Sequence, residues 1–226
     1  LDRLMDELGR DAGLGGGVHT LYISPLKALG YDVERNLEAP LAGIRAEAEG
    51  AGGAAPEVRV AVRTGDTPSS RRAAMLRRPP HVLITTPESL FILLASEKAR
   101  EVLFPDVRYV ILDEIHALLG NKRGASLALS LERLGMLCAA DPVRIGLSAT
   151  VEPLALAGRF LGGLAGDGSD RPVTLVDAGQ RKGMDLEVLT PVPDFTSLPD
   201  ASVWPEVYPR ILELIRSHRT TLIFVR

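Results

Sequence analysis

Tyr109-Val110-Ile111-Leu112-Asp113-Glu114-Ile115-His116 decides how the rest of this chain is read. Its first four residues are apolar and β-favouring, the pattern of a strand buried on both faces of a parallel sheet. Two adjacent carboxylates stand where that strand emerges, and a histidine follows two residues after the second. Open α/β sheets collect ligands at the carboxyl ends of their strands. There Asp113 can hold Mg²⁺ on a nucleotide, and Glu114 can orient or deprotonate a water for attack on a γ-phosphate. The same pair also suits the first turn of a helix, whose dipole favours acidic groups. The surrounding chain decides between the two.

Working outward, the pattern predicts strands at Leu21 to Ile23, Val58 to Val62, His81 to Thr85 and Val143 to Leu147. Helices are expected from about Leu26 to Glu49, Ser69 to Arg77, Pro87 to Ala95 and Gly124 to Ala139. Pro87 fits a first helical position, with Glu88 near the positive end. Such alternation predicts an α/β fold, a parallel sheet with helices on both faces. Beyond about Gly179 the character changes. Val188 to Val192 reads as strand-like, and Pro191, Pro193, Pro199, Pro205 and Pro209 punctuate a linker. A helix is expected from Val207 to Ile215, and Thr221 to Val225 reads as a strand.

The 226 residues can hold one large domain, or one domain and part of another. A net charge of -3 excludes a generic polybasic nucleic-acid binder but leaves room for a local basic groove. A single cysteine, Cys138, permits no internal disulfide; it reads as core, and a cytoplasmic setting fits. No apolar run approaches a membrane span. The chain opens at Leu1 within an amphipathic helical pattern (Leu1, Leu4, Met5, Leu8) and stops in a strand, so it reads as a piece of a longer protein.

Three strand ends carry candidate binding loops. Ser24-Pro25-Leu26-Lys27-Ala28-Leu29 joins a strand to a helix, where backbone N–H groups and Lys27 suit a nucleic-acid phosphate. A capped helix with a solvated Lys27 is the plainer reading. Arg63-Thr64-Gly65-Asp66-Thr67 and Thr85-Thr86-Pro87-Glu88 follow two further strands. Their small hydroxyl residues and Gly65 leave room for phosphates and equally serve ordinary turns. Repetition along one sheet edge favours binding. Ser148-Ala149-Thr150 follows its strand as Asp113-Glu114 follows theirs. Its hydroxyls suit a hydrogen bond to His116 or Asp113, or a helix cap ahead of Pro153. Arg71, Arg72, Arg77 and Arg78 form a basic helix face, solvated or facing nucleic acid. His19, His81 and His218 share no metal-ligand spacing, so no zinc site is expected.

Taken in order, SPLKAL, RTGDT, TTPESL, DEIH and SAT resemble the successive motifs of superfamily 2 helicases. The longer strings YISPLKALGYDVERNLEAPL, ITTPESLFILL, DEIHALLGNKRGASLALSLERL and IGLSATVEPLALAGRFLGG resemble the large helicase-related, Lhr-type proteins. The resemblance is dense over about residues 20 to 165. It implies a RecA-like fold and an ATP-dependent translocase and helicase, usually moving 3′ to 5′ on single-stranded DNA and linked to DNA repair, with single-stranded DNA or a DNA/RNA hybrid as partner. It implies ATP and Mg²⁺ as cofactors and the remaining helicase domains of a full-length chain as partners. Carried over by matching positions, Asp113 holds Mg²⁺ through water, Glu114 positions the attacking water, and His116 links the nucleotide to Ser148, Ala149 and Thr150. Ser24, Pro25, Lys27, Thr64, Gly65, Thr86, Pro87 and Glu88 form the nucleic-acid side.

Two departures bear on activity. No G-x-x-x-x-G-K-[ST] pattern occurs in the sequence; the family's phosphate loop is expected ahead of the helix that begins at Leu1. The second motor domain's remaining motifs, with their arginines, are also absent, and Ser126 stands where the resemblance leads one to expect histidine. The expected organisation is an N-terminally truncated RecA-like domain over 1–178, a linker and connecting helix over 179–218, and the first strand of a second RecA-like domain over 219–226. Such a piece alone is expected to be inactive. The alternatives are an RNA helicase of the same superfamily, although His116 leans against the DEAD-box branch, or a non-catalytic nucleic-acid-binding module.

Overall fold

The computed structural model describes residues 16–50, 57–149, 151–177, 186–190 and 202–224. The expectations for Leu1 to Leu8, Thr150, Pro191, Pro193, Pro199 and Val225 lie outside those residues. The chain divides into two compact units between Val176 and Asp177.

Five strands, β1 (Thr20–Ile23), β2 (Val60–Arg63), β3 (Val82–Thr85), β4 (Tyr109–Leu112) and β5 (Val143–Gly146), form one sheet in the order β2-β3-β1-β4-β5. Every pairing is parallel, with Ile23 level with Thr85 and Leu112, Arg63 level with Thr85, and Leu112 level with Gly146. That register brings all five strand ends to one edge. The helices are α1 (Lys27–Gly50), α2 (Ser69–Arg77), α3 (Pro87–Ala95), α4 (Glu97–Leu103), α5 (Lys122–Gly135) and α6 (Leu154–Gly162). A single 3₁₀ turn, Ile115–Ala117, follows the two carboxylates.

The sheet's two faces take alternate residues. Leu21, Ile23, Leu83, Val110 and Leu112 join Leu90 and Leu94 of α3, Leu127 and Leu131 of α5 and Leu161 of α6 in one core. Each such side chain, fully buried, contributes roughly 1.5–3 kcal/mol from apolar burial. Val62, Val82 and Ile84 face the other way, against Val33 and Leu37 of α1. Gly30 permits that approach, since a Cβ there would stand 3.2 Å from a methyl of Ile84. β5 ends the described sheet, and its Val143 and Ile145 remain exposed.

Local chemistry sets the helix starts. Thr86 caps α3, its hydroxyl accepting from the Ser89 N–H, and Pro87 occupies the first turn as expected. Asn121 caps α5 by accepting from Gly124 N–H at 3.0 Å. Gly124 is required there, because a Cβ would fall 1.9 Å from the Leu118 carbonyl oxygen. On α5, Glu132 accepts from Arg144 of β5 and from Arg171, each at 2.9 Å, which fastens α5 to the sheet edge and to the chain beyond α6.

The second unit contains α7 (Trp204–Ser217). Two expectations are corrected. The helix expected from Val207 to Ile215 is present as part of α7 and includes Pro209, but it starts earlier, so that Pro205 does not punctuate a linker and stands in the first turn, where its missing N–H has no intrahelical acceptor. Residues 186–190 and 221–224 form no strand, because a strand exists only through pairing and no described segment pairs with either. Among the described residues, no helix is long and apolar enough to cross a membrane.

Candidate nucleotide and nucleic-acid site

The end of β4 is held by its neighbours before any ligand is considered. Asp113 N–H donates to the Ile23 carbonyl of β1 at 2.9 Å, which keeps the residue in line past the last paired strand position. Both carboxylate oxygens of Asp113 are engaged: Oδ1 accepts from Glu114 N–H at 2.9 Å and Oδ2 from the Tyr22 hydroxyl at 2.7 Å. Burial raises the Tyr22 pKa, and its hydrogen bond to Asp113 and the nearby carboxylate charges push it further. That phenol stays a donor.

Glu114 has φ 50° and ψ 46°, and it is the one non-glycine residue described with positive φ. Left-handed backbone costs a residue with a Cβ roughly 1–2 kcal/mol, and such strain gathers where a side chain must be aimed. Glu114 Oε2 lies 3.1 Å from His116 Nδ1 but out of line for a hydrogen bond, and it is buried without a hydrogen-bond partner. The same Nδ1 is 3.2 Å from Ser148 Oγ. His116 thus stands between Glu114 and the loop after β5. Main-chain bonds from Leu147 N–H to Leu112 O and from Ile115 N–H to Leu147 O join those two strand ends.

The other three strand ends also meet. Lys27 Nζ donates to both carboxylate oxygens of Asp66, at 2.7 and 2.9 Å. It also stands 3.8 Å from where a Cβ on Gly65 would lie, so lysine and glycine share one exposed corner. The Ser24 N–H donates to Thr85 O, and the Thr85 hydroxyl to Arg63 O. Arg123, on the first turn of α5, donates to Glu88 at 2.6 Å and to the Pro25 carbonyl at 2.8 Å. Burial pushes Glu88 upward, but the Arg123 hydrogen bond, Glu88's own backbone N–H, the Arg123 charge and Thr86 together hold it below the ordinary value.

Exposure sorts the residues that the sequence singled out. Lys27, Gly65, Glu88, His116, Ser148 and Ala149 are exposed, and Asp113 and Glu114 half-buried. Ser24, Pro25, Thr64, Thr86 and Pro87 are buried, so they shape the loops from beneath. The basic face of α2 is partly engaged: Arg72 donates to the Thr67 and Gly65 carbonyls, at 2.6 and 2.7 Å, and Arg78 to Glu57. Cys138 is half-buried with its thiol pushed up to about 11 by burial. Sequence reasoning missed Tyr22, Asp66, Arg72 and Arg123 as positioning groups. Tyr22, Asp66 and Arg123 all lay within strings already quoted and Arg72 on the basic helix face, but nothing in those strings showed which distant groups they would hold.

The donor set fits Mg²⁺ carried by a nucleotide rather than a metal caged by protein. Among the described residues no cluster of three or more His, Cys, Asp or Glu is present. Mg²⁺ typically takes one or two carboxylates, waters and the phosphates themselves. One fixed carboxylate, Asp113, at a strand end meets that need.

A parallel sheet in this order, with helices on its faces and loops on the carboxyl edge, is a RecA-like α/β fold, one that a solved helicase Lhr structure shares. The DEAD/DEAH box helicase family model matches residues 4–156, and the chain belongs to that family. It is 50% identical over 224 residues, 99% of its length, to the Lhr helicase/probable uracil glycosylase of Mycolicibacterium smegmatis, and covers 14% of that protein. It is 51% identical over 220 residues, 97% of its length, to the ATP-dependent helicase Lhr-Core of Methanothermobacter thermautotrophicus, and covers 25% of it. A structure of Mycobacterium smegmatis helicase Lhr bound to ssDNA and AMP-PNP superposes with TM-score 0.74 and 51% identity over 90% of this chain and 25% of that one. The chain therefore spans a quarter or less of these relatives.

Proposed function

We propose that this chain is motor-domain sequence of an ATP-dependent DNA helicase or translocase of the Lhr type, coupling ATP hydrolysis to movement on single-stranded nucleic acid, with single-stranded DNA or a DNA/RNA hybrid as its partner. The observation that carries the proposal is His116 standing between Glu114 and Ser148 at the strand edge that also bears Lys27 and Gly65. In this reading Asp113 holds Mg²⁺ through water. Glu114 Oε2, buried without a hydrogen-bond partner, receives the attacking water. His116 transmits the state of Glu114 to the loop of Ser148, Ala149 and Thr150. Bound Mg²⁺-ATP supplies the electrophilic phosphorus and the charge neutralisation; the protein orients the water and holds the carboxylates.

On the nucleic-acid side, the exposed Lys27 and the Gly65 backbone touch phosphates. The buried Ser24, Pro25, Thr64, Thr86 and Pro87 set the loop shapes, and Glu88 holds Arg123. Such contacts are blind to sequence. Cytoplasmic DNA repair is the setting proposed, and the remaining helicase domains of the whole protein complete the motor. Nucleic-acid-stimulated ATP turnover by the whole protein, compared with its Glu114→Gln variant, tests the reading. Equal turnover by both would reject it.

A further inference from the structure

We propose that Tyr22 is a positioning residue for Asp113, holding the carboxylate so that it meets Mg²⁺ through water in one orientation. This deepens the proposed function and rests on it. β1 lies between β3 and β4 at the centre of the described sheet, and parallel register sets Tyr22 level with Ile111, two residues before Asp113. The neighbours of Tyr22 on its own strand, Leu21 and Ile23, are fully buried core residues, whereas Tyr22 takes the opposite face and is half-buried. Its ring reaches along the sheet and its hydroxyl ends 2.7 Å from Asp113 Oδ2. A leucine or valine would satisfy that strand position for packing; only a donor at that reach does more.

Consider what Asp113 would do without it. A carboxylate rotates about its terminal torsion over a broad well, and here the Glu114 N–H fixes only Oδ1. The second donor, on the other oxygen, fixes the carboxylate plane. Each oxygen keeps one lone pair for a metal-bound water. Partners hydrogen-bonded to a direct metal ligand typically change metal affinity 10- to 100-fold on removal, and with a water between Asp113 and the ion the low end of that range is expected. Tyr22 also lies two residues before Ser24, and β1 leads directly into the Lys27 loop. The same strand therefore holds the metal-bearing carboxylate at one residue and enters the proposed nucleic-acid loop two residues later.

The test uses the whole protein carrying Tyr22→Phe, and a Tyr22→para-aminophenylalanine variant that restores a donor at nearly the same reach. Two quantities are read: the Mg²⁺ concentration for half-maximal ATP turnover, and the Mg²⁺ dependence of binding a fluorescent ATP analogue. The phenylalanine variant should need about 10-fold more Mg²⁺ in both. Its affinity for the analogue in EDTA and its melting temperature should stay near wild type. The amino variant should return the Mg²⁺ requirement towards wild type. An unchanged Mg²⁺ requirement in Tyr22→Phe, with turnover abolished by Asp113→Asn, overturns the inference and leaves the proposed function standing. Unchanged turnover in Asp113→Asn overturns the proposed function itself. A phenylalanine variant that melts early, with no recovery of the Mg²⁺ requirement by the amino variant, also overturns the inference, because the ring alone would then be what matters.

Discussion

Lys27 Nζ sits 2.7 and 2.9 Å from the two carboxylate oxygens of Asp66, tying the loop after β1 to the loop after β2. The basic group that the sequence offers to a phosphate is thus already shared with a carboxylate. Both side chains remain more than half exposed, at 52% and 64%, so the pair is screened and worth about 0–1 kcal/mol. Under the proposed function, nucleic acid would displace Asp66 at that cost.

The pairing leads to opposite predictions for its two members. On single strands each neutralised phosphate contributes a salt slope of about -0.7. Lys27→Ala should weaken binding and reduce the slope by less than one such unit, because Asp66 already offsets part of the charge. Asp66→Asn should tighten binding by up to about fivefold and steepen the slope. Affinities measured across a salt series check both; weaker binding by Asp66→Asn would mean that the carboxylate is itself a contact.

Glu114→Gln keeps shape and hydrogen-bonding capacity while removing the basic carboxylate. General-base loss typically lowers rates by ~10²–10⁴, and nucleotide binding should persist. Turnover and nucleotide affinity measured together separate the two effects.

Much of this was legible in the sequence because it is local. The Tyr109 to His116 pattern gave strand and carboxylates together, and Thr86-Pro87 announced the start of α3. Contacts between distant segments were not legible. Tyr22 and Asp113 are 91 residues apart, and Arg123 and Pro25 are 98 apart. Only the sheet order brings them together, and no periodicity encodes it. Burial was equally hidden: Thr64 and Thr86 read as phosphate-binding or turn hydroxyls, a pattern that carries no burial signal, yet their loops fold them beneath the surface at 1% and 5% exposure.

Arg123 offers a test of how the loops communicate. It links the α5 start to Glu88 and to the Pro25 carbonyl, so Arg123→Gln should loosen two proposed nucleic-acid loops together. The ion pair is exposed, so the melting temperature should move little. Stimulation of ATP turnover by single-stranded DNA should fall several-fold while unstimulated turnover holds. A parallel fall in both would assign Arg123 to folding alone.

Acid stability should depend on Glu132. Burial raises its pKa, but the hydrogen bonds and charges of Arg171 and Arg144 outweigh that and bring it below the ordinary value. A depressed folded-state pKa adds stability above the unfolded value, and that contribution is lost as pH falls through the folded one. Glu132→Gln should therefore melt earlier at neutral pH and show a shallower further loss below about pH 4.5. Melting temperatures from pH 7 to 3 would show it.

The 226-residue chain by itself should not hydrolyse ATP. In the proposed roles Asp113 would hold Mg²⁺ through water and Glu114 would position the attacking water, and phosphoryl transfer needs far more positive charge than that. The sequence has no G-x-x-x-x-G-K-[ST] loop, hence no ring of backbone N–H groups on the phosphates, no lysine on the β- and γ-phosphates and no hydroxyl on Mg²⁺. An ATP tail brought to this strand edge meets two carboxylates, one already committed to Tyr22 and the Glu114 amide. Even binding should be poor. Arginine stabilisation of the transition state, ~10³–10⁵ in rate in GTPases assisted by such a residue, would also have to come from elsewhere. Val143 and Ile145, exposed on β5 at the edge of the described sheet, should further favour association between copies. Titration of the purified chain with Mg-ATP, with phosphate release followed in the presence of single-stranded DNA, decides the matter. Micromolar affinity with DNA-stimulated turnover would show that the phosphate loop is dispensable, and the roles given to Asp113 and Glu114 would have to be redrawn.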